Sequence, residues 1–192
     1  MASNERYNEF IKPILVLVLI CFFTTAALAV TYNVTDPIIV ANTLASDNAA
    51  RNELLPDANG EFEEYTGDLY VLEEGTVYVT EVYTATNGSG EVVTVNTNSY
   101  GGVLTEMIGI DADGAITKVK VTSASDTAGV GTKAQAESHL SQYIGLTELT
   151  DVNVKKDTSV DYVTGASVSS TAIHKGVYAA LEQHKLMNGG DN

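Results

Sequence analysis

Near the C-terminus, Asp161-Tyr162-Val163-Thr164-Gly165-Ala166-Ser167-Val168-Ser169-Ser170-Thr171 gathers hydroxyl side chains just ahead of an apolar period that continues to the end of the chain. Helix starts expose unpaired backbone N–H groups and the positive end of the helix dipole, and serine or threonine there can add hydrogen bonds to an anion. Gly165 and Ala166 remove side-chain bulk, so a ligand or an enzyme's active site can approach the backbone closely. Two readings follow. The stretch can hold a phosphate, or its hydroxyls can serve as ordinary helix N-caps.

The order Asp-x-x-Thr-Gly-Ala-Ser-x-Ser-Ser resembles the flavinylation motif of the FMN-binding domain family. In that motif an acid, two spacers, Ser or Thr and Gly-Ala precede a Thr or Ser esterified to the phosphate of FMN. The resemblance implies Asp161 as the motif acid, Thr164 as the first hydroxyl, Gly165 and Ala166 as the small pair, and Ser167 as the covalent attachment residue. Ser169 or Ser170 fills the trailing hydroxyl position. Serine stands at 167 where threonine is usual, and it carries the same nucleophilic oxygen. The resemblance also implies a separate flavin transferase with FAD as donor.

A second stretch, Asp126-Thr127-Ala128-Gly129-Val130-Gly131, resembles the family loop Glu-Thr-Pro-Gly-Leu-Gly that closes over the flavin ring. Asp126 replaces Glu, Ala128 replaces Pro and Val130 replaces Leu, while both glycines remain. Ala124 stands where a histidine is often found. The resemblance implies that Asp126, Thr127 and Val130 face the ring, with Gly131 beside them, and that Thr164, Ser169 and Ser170 bind phosphate. Ahead of this loop, Tyr100-Gly101-Gly102, Ile108-Gly109-Ile110-Asp111 and Val119-Lys120-Val121 look like the family's central sheet. A glycine loop between strand and helix accounts for 126–131 equally well on local grounds.

These residues need a scaffold and a compartment. From Ile14 to Val30 every residue is apolar except Thr24 and Thr25, enough with its edges for the ~20 residues that span a bilayer. Arg6 and Lys12 precede this stretch and no Lys or Arg follows until Arg51, so the positive-inside bias predicts a cytoplasmic N-terminus, residues 1–12, a transmembrane helix at 13–32 and an extracytoplasmic domain at 33–192. Ala27-Leu28-Ala29 has the look of a signal-peptidase site, but the apolar stretch is longer than a signal peptide's ~7–15-residue core and predicts a retained anchor. Cys21, the one cysteine, falls inside the stretch, so the outer domain has neither disulfides nor thiolate metal sites. Before Ile14 the charges of Glu5, Arg6, Glu9 and Lys12 cancel, which leaves the net −15 on the remainder and makes nucleic acid and anionic lipid poor partners.

The expected order runs from a connection at 31–41 containing Pro37, through a helix at 42–55 stopped by Pro56, to an acidic run at 61–65. Thr76 to Thr84 is dense in β-branched and aromatic residues. Asn87-Gly88-Ser89-Gly90 signals a hairpin, and 91–96 returns. A second hairpin joins 103–110 to 116–122 across Asp111-Ala112-Asp113-Gly114, whose glycine comes fourth rather than sixth and so rules out an EF-hand loop. Helices are expected at 133–143 and from Ser169 to about Met187, with Gly189-Gly190 beyond, and a last strand at 149–154. His139, His174 and His184 show no metal-ligand spacing and read as surface or edge residues. Walker and Rossmann glycine loops are absent from the sequence.

The fold class predicted is α+β, one N-terminal transmembrane helix followed by an FMN-binding domain with an antiparallel sheet and packed helices. The resemblance implies a membrane-anchored electron carrier, with FMN as a covalent phosphodiester, acting beside other membrane subunits of an ion-translocating ferredoxin:NAD oxidoreductase (Rnf) complex, its flavin-carrying D subunit among them. The C subunit of the sodium-translocating NADH:quinone reductase belongs to the same family and is the neighbouring alternative. A cofactor-free binding or adhesion domain follows if the hydroxyl run merely caps a helix.

Overall fold

The computed structural model describes residues 11–189, so Arg6, most of the expected cytoplasmic stretch and Gly190 lie outside the described residues. Contacts divide the chain into two units, Met1–Asp47 and Asn48–Asn192.

Among its described residues the first unit is helical. Helix α1 runs Lys12–Leu54 and carries Pro37 inside it. The connection expected at 31–41 is therefore helix. Proline costs the carbonyl four residues back its hydrogen bond, and the flanking threonines keep their own polar groups satisfied within the helix. Thr24, Thr25, Thr31 and Thr35 each donate their hydroxyl to the carbonyl four residues earlier, at 2.7–2.9 Å. Large apolar side chains from Ile14 to Val40 stand 45–71% exposed, and no face among the described residues covers them. A helix apolar all round with its hydroxyls internally bonded is suited to lipid.

The second unit is an antiparallel sheet between helices. β1 (Phe62–Glu64), β2 (Val71–Glu73), β3 (Val77–Ala85), β4 (Gly90–Ser99), β5 (Gly102–Asp111) and β6 (Ile116–Ser123) form six strands in the order β1-β3-β4-β5-β6, with β2 also paired to β3. Both expected hairpins are present, and the acidic run at 61–65 proves to be the edge strand β1. In the β5–β6 turn, Asp111 Oδ1 accepts the Asp113 and Ala115 amides at 2.9 Å, an Asx turn that needs no metal.

Alternation sends Val93, Val95 and Thr97 of β4 and their partners Ile108, Glu106 and Leu104 of β5 to one face. There they meet Ile173, Val177 and Ala180 of the C-terminal helix in the larger core. The opposite face buries Val92 and Met107 against Ala50, Leu54 and Leu55 at the end of α1. Gly109 permits that crossing, since a Cβ there would lie 2.6 Å from the Leu54 carbonyl oxygen. Arg51, 5% exposed, stacks 3.5 Å over the Tyr83 ring, and Glu53 pairs with Lys118 and Lys120.

After β6 the chain is less regular than expected. The helix at 133–143 is broken into a 3-10 turn (Gly131–Lys133), a short α2 (Glu137–Leu140) and a second 3-10 turn (Ser141–Tyr143). Ile116 exchanges backbone bonds with Leu146 and Gly145 at 2.9 and 2.8 Å, which draws the chain back to β6. No strand forms at 149–154. The segment is instead wound around the buried Asp157 carboxylate, which accepts the amides of Thr150, Asp151 and Ser159 at 2.8, 3.2 and 2.6 Å. The last helix, α3, spans Ser167–Met187 and begins two residues earlier than expected.

Two of the three histidines also depart from expectation. His174 is fully buried and His139 is 9% exposed. Both lie under the irregular segments, where position in sequence gives no hint of cover. His174 Nε2 donates to the Asp151 carbonyl at 2.7 Å, leaving Nδ1 to accept the Tyr143 hydroxyl at 3.3 Å. Burial holds the His174 imidazole below its ordinary pKa, against the pull of the Asp151 carbonyl and the Asp157 charge.

Candidate functional site

A cleft of about 440 Å³ opens where the β4–β5 turn, the loop after β6 and the start of α3 converge. Tyr100, Thr127, Val130, Gly131, Gly165, Ala166, Ser167, Val168 and Ser169 line it. The two stretches singled out in the sequence thus share one wall.

The start of α3 brings backbone and hydroxyl groups to the cleft. Ala166 is the N-cap residue and no side chain caps the helix, so the first-turn amides keep their hydrogen-bonding capacity. The capping reading of the hydroxyl run is therefore not what the structure contains. Ser167 is the first helical residue, half-buried, and its Oγ has no hydrogen-bond partner among the described residues. Gly165 sits at φ +87°, a left-handed turn conformation that favours glycine, and a Cβ there would meet open space.

Ser169 and Ser170 face inward. Ser170 is fully buried and its Oγ accepts the Val163 amide at 3.1 Å. Thr171 donates to the Ser167 carbonyl at 2.7 Å. Ser169, 1% exposed, offers its hydroxyl to the Asp126 carboxylate while also bordering the cleft. Thr164 is exposed on the turn and, like Ser170, is not part of the cleft lining. The phosphate roles expected for Ser169 and Ser170 thus meet hydroxyls that already fasten the motif to the domain.

Asp126, expected to face the ring, is not part of the cleft lining. Its carboxylate accepts the Ser99 hydroxyl at 2.7 and 2.8 Å, the Gly101 amide at 2.8 Å and the Gln135 side-chain amide at 3.1 Å. Burial alone would raise its pKa, but donors from Ser99, Gly101, Ser169 and Gln135 prevail and hold it below the usual aspartate value. The acid is a knot tying together the β4–β5 turn, the loop and α3. Gly101 and Gly131 make room for it: a Cβ on Gly101 would run into the Ser125 carbonyl oxygen, and one on Gly131 would lie 2.7 Å from the Asp126 Cβ. Thr127, Val130 and Gly131 do line the cleft.

Asp161, the motif acid, is exposed, and its backbone is held from both sides by Gln142, which accepts its amide at 2.7 Å and donates to its carbonyl at 3.0 Å. Sequence reading missed Tyr100, 76% exposed on the cleft rim, and Val168, 51% exposed. An aromatic after a strand end and an apolar residue left outside a helix's buried stripe were the available signals.

An open cleft with an aromatic and branched apolar rim around an unpartnered hydroxyl fits an amphipathic ligand with a flat ring and a phosphate. Residues 99–182 match the FMN-binding domain family, a span that contains every lining residue. The G subunit of an ion-translocating oxidoreductase complex from Stutzerimonas stutzeri is 30% identical over 93% of this chain and 82% of its own length. The chain belongs to the family of these G subunits. Similarity extends over the whole length of two further members. The G subunit of the proton-translocating ferredoxin:NAD(+) oxidoreductase complex of Clostridium ljungdahlii is 26% identical over 99% of this chain and 100% of its own. Its counterpart in the Na(+)-translocating ferredoxin:NAD(+) oxidoreductase complex of Acetobacterium woodii is 28% identical over 98% and 100%. The α+β architecture is that of a G subunit with one apolar N-terminal helix and an FMN-binding domain.

Proposed function

We propose that this chain is the membrane-anchored electron-transfer subunit of a redox-driven, ion-translocating ferredoxin:NAD oxidoreductase complex, and that it carries FMN as a phosphodiester on Ser167 Oγ. The observation that carries the reading is Ser167 itself. It stands at the uncapped head of α3, facing an open cleft, with a hydroxyl engaged by nothing else among the described residues.

FMN, once bound, supplies the capacity to accept and pass single electrons. The protein's residues supply place. Tyr100, Val130 and Val168 offer apolar surface to the ring. Thr127, Gly131, Gly165, Ala166 and Ser169 line the approach, and the first-turn amides of α3 favour negative charge. Thr164 and Ser170 serve this site by shaping the turn that presents Ser167. A hydroxyl without a base is a weak nucleophile, which agrees with attachment by a separate flavin transferase. Ser167 Oγ would form the new O–P bond on FAD's flavin-side phosphate, the pyrophosphate P–O bond would break, AMP would leave, and the hydroxyl proton would pass to the transferase. Asp161, exposed beside the turn, is the residue we assign to recognition by that enzyme.

The cation bias around the apolar stretch supports a cytoplasmic N-terminus, a membrane span at 13–32 and an extracytoplasmic domain at 33–192. Ferredoxin and NAD would then meet other subunits, and the flavin-carrying D subunit is the neighbour we expect within the membrane. The small and hydroxyl residues Thr24, Thr25, Ala26, Ala27 and Ala29 suit packing against a partner helix.

The test is the intact mass of the denatured, natively expressed chain, with peptide mapping across Asp161–Lys175. The mass of one FMN less one water, placed on Ser167, is the expected result. An unmodified peptide from a host with an active flavin transferase would overturn the covalent reading.

A further inference from the structure

Ser167 borders two clefts rather than one. On its other side a second, more polar cleft of about 230 Å³ is lined by Glu73, Thr76, Asn98, Lys155, Thr171 and Lys175, together with Ser167 and Val168. We propose that this second cleft is the anion site of the protein, in which Lys155 and Lys175 hold the phosphate oxygens of the flavin nucleotide while its ring occupies the first cleft. The proposal rests on the flavin reading above and adds to it the residues that decide which half of the cofactor goes where.

Cationic side chains are scarce in this protein. The chain has 10 Lys and Arg against 25 Asp and Glu, yet two lysines border this one small cleft. Glu73 is the single acid among its lining, so the cleft carries a formal excess of one positive charge, which a phosphodiester would neutralise. Glu73 does not undo the site. It holds the Lys175 ammonium at 2.5 Å through Oε1 and accepts the Thr76 hydroxyl at 3.0 Å through Oε2, so its own oxygens are turned to donors. The Lys175 ammonium first, and the Thr76 hydroxyl after it, hold the Glu73 carboxyl below its ordinary pKa against the opposing effect of burial.

Helix geometry aims the lysine. Ser167, Thr171 and Lys175 are spaced four apart and share one stripe of α3, and helical side chains lean toward the N-terminus. Lys175 therefore leans over Thr171 toward Ser167, about 12 Å further up the axis. Lys155 comes from the opposite side, and its placement depends on the irregular segment that replaced the expected strand. Asp157 gathers the Thr150, Asp151 and Ser159 amides, His174 of α3 donates to the Asp151 carbonyl at 2.7 Å, and Asn153 Oδ1 accepts the Lys155 amide at 3.0 Å. A buried clamp thus carries Lys155 to the head of α3. Its ammonium rests 5.8 Å from the centre of the Tyr162 ring and has no carboxylate partner among the described residues.

The experiment compares FMN with riboflavin, which has the same ring and no phosphate. The full chain carrying Ser167→Ala is purified without covalent flavin, and binding of each flavin is followed by fluorescence at low salt. FMN should bind about tenfold or more tightly than riboflavin. Adding Lys155→Gln and Lys175→Gln together should weaken FMN by about tenfold, toward the riboflavin value, and leave riboflavin unchanged. Lys156→Gln, the same charge change outside the cleft, should alter neither, and added salt should erase the FMN preference. FMN binding no better than riboflavin binding, or an FMN preference that survives both lysine changes, would overturn the lysine cleft. Intact mass of the wild-type chain is measured in parallel: if Ser167 is flavinylated there, such a failure removes the lysine assignment alone and leaves the proposed function standing.

Discussion

The hydroxyl run at the head of α3 is split by the helix into two parts that behave oppositely. Among the residues up to Val168, Thr164, Ser167 and Val168 face outward, while Ala166 is buried. Thr164 is exposed, Ser167 is unpartnered, and Val168 stands out in solvent between two clefts. Ser169, Ser170 and His174 face inward instead, where Ser169 meets Asp126, Ser170 meets the Val163 amide and His174 reaches the segment around Asp157, while Thr171 stays on the outward stripe with Ser167. One short sequence thus builds an unpartnered hydroxyl and the anchorage that keeps it in place. The difference teaches that a run of similar residues need not be a run of similar roles. Which hydroxyl is left without a partner is decided by where the helix's 100° step sends it.

Substitution can break that division sharply. Ser167→Ala should abolish covalent flavin, read as loss of the added mass. Because Oγ bonds nothing among the described residues, the melting temperature of the unflavinylated chain should change little, within the ~0.5 kcal/mol typical of such surface changes. Ser167→Thr should restore attachment. A marked loss of stability in Ser167→Ala would place Ser167 with the inward set.

Removing the inward anchor has the next largest effect. Asp126→Ala strips the acceptor from Ser99, Gly101, Ser169 and Gln135, and should cost about 2–3 kcal/mol in urea unfolding. Flavinylation should fall as well, since the loop and α3 lose their common tie. Ser170→Ala leaves the Val163 amide without its partner and should cost about 1 kcal/mol, with the mass of the flavin adduct retained. If Ser170→Ala instead lost the adduct while remaining fully stable, Ser170 would be a phosphate ligand, and the outward-inward split would fail at that residue.

The same division marks what the sequence could disclose. Ser167, Gly165 and both hairpins were legible because their signals are local: a motif order, a left-handed turn, and strands separated by Asn-Gly or Asp-Gly chemistry. The knot at Asp126 was not legible, because its donors come from residues 99, 101, 135 and 169. The same holds for Lys155. Its neighbours Leu149 to Val154 look like a strand, but nothing in their own pattern reveals that Asp157 will capture their amides first. Continuity of α1 through Pro37 was hidden for another reason, since proline disfavours helix locally and the cost is borne by a long apolar helix on both sides. The buried histidines were invisible because irregular segments cover them.

The smallest and finest test compares the two acids on either side of this divide, Asp126 at the cleft and Glu106 in the middle of the sheet. Glu106 is fully buried under α3, where a Cβ on Gly176 would run into its Oε1, and neither of its oxygens has a hydrogen-bond partner among the described residues. Burial therefore pushes its pKa well above the ordinary glutamate value, whereas the donors around Asp126 hold that acid below the ordinary aspartate value. The signs for stability are opposite. Asp126 binds fewer protons folded than unfolded, so its contribution is present above the unfolded pKa and is lost as pH falls through the folded one. Glu106 binds more protons folded, so its contribution is present below the unfolded pKa and is lost as pH rises toward the folded one. Glu106→Gln keeps the shape and removes the titration, so the melting temperature of the variant should gain on the wild type as the pH rises above the ordinary glutamate range. Asp126→Asn should show the reverse trend, its deficit shrinking as the pH is lowered below the ordinary aspartate range. Parallel curves for Glu106→Gln and wild type across the higher range would mean that Glu106 is ionised in the folded domain and has found a donor, and the contrast between a satisfied acid at the cleft and a neutral one in the core would be lost.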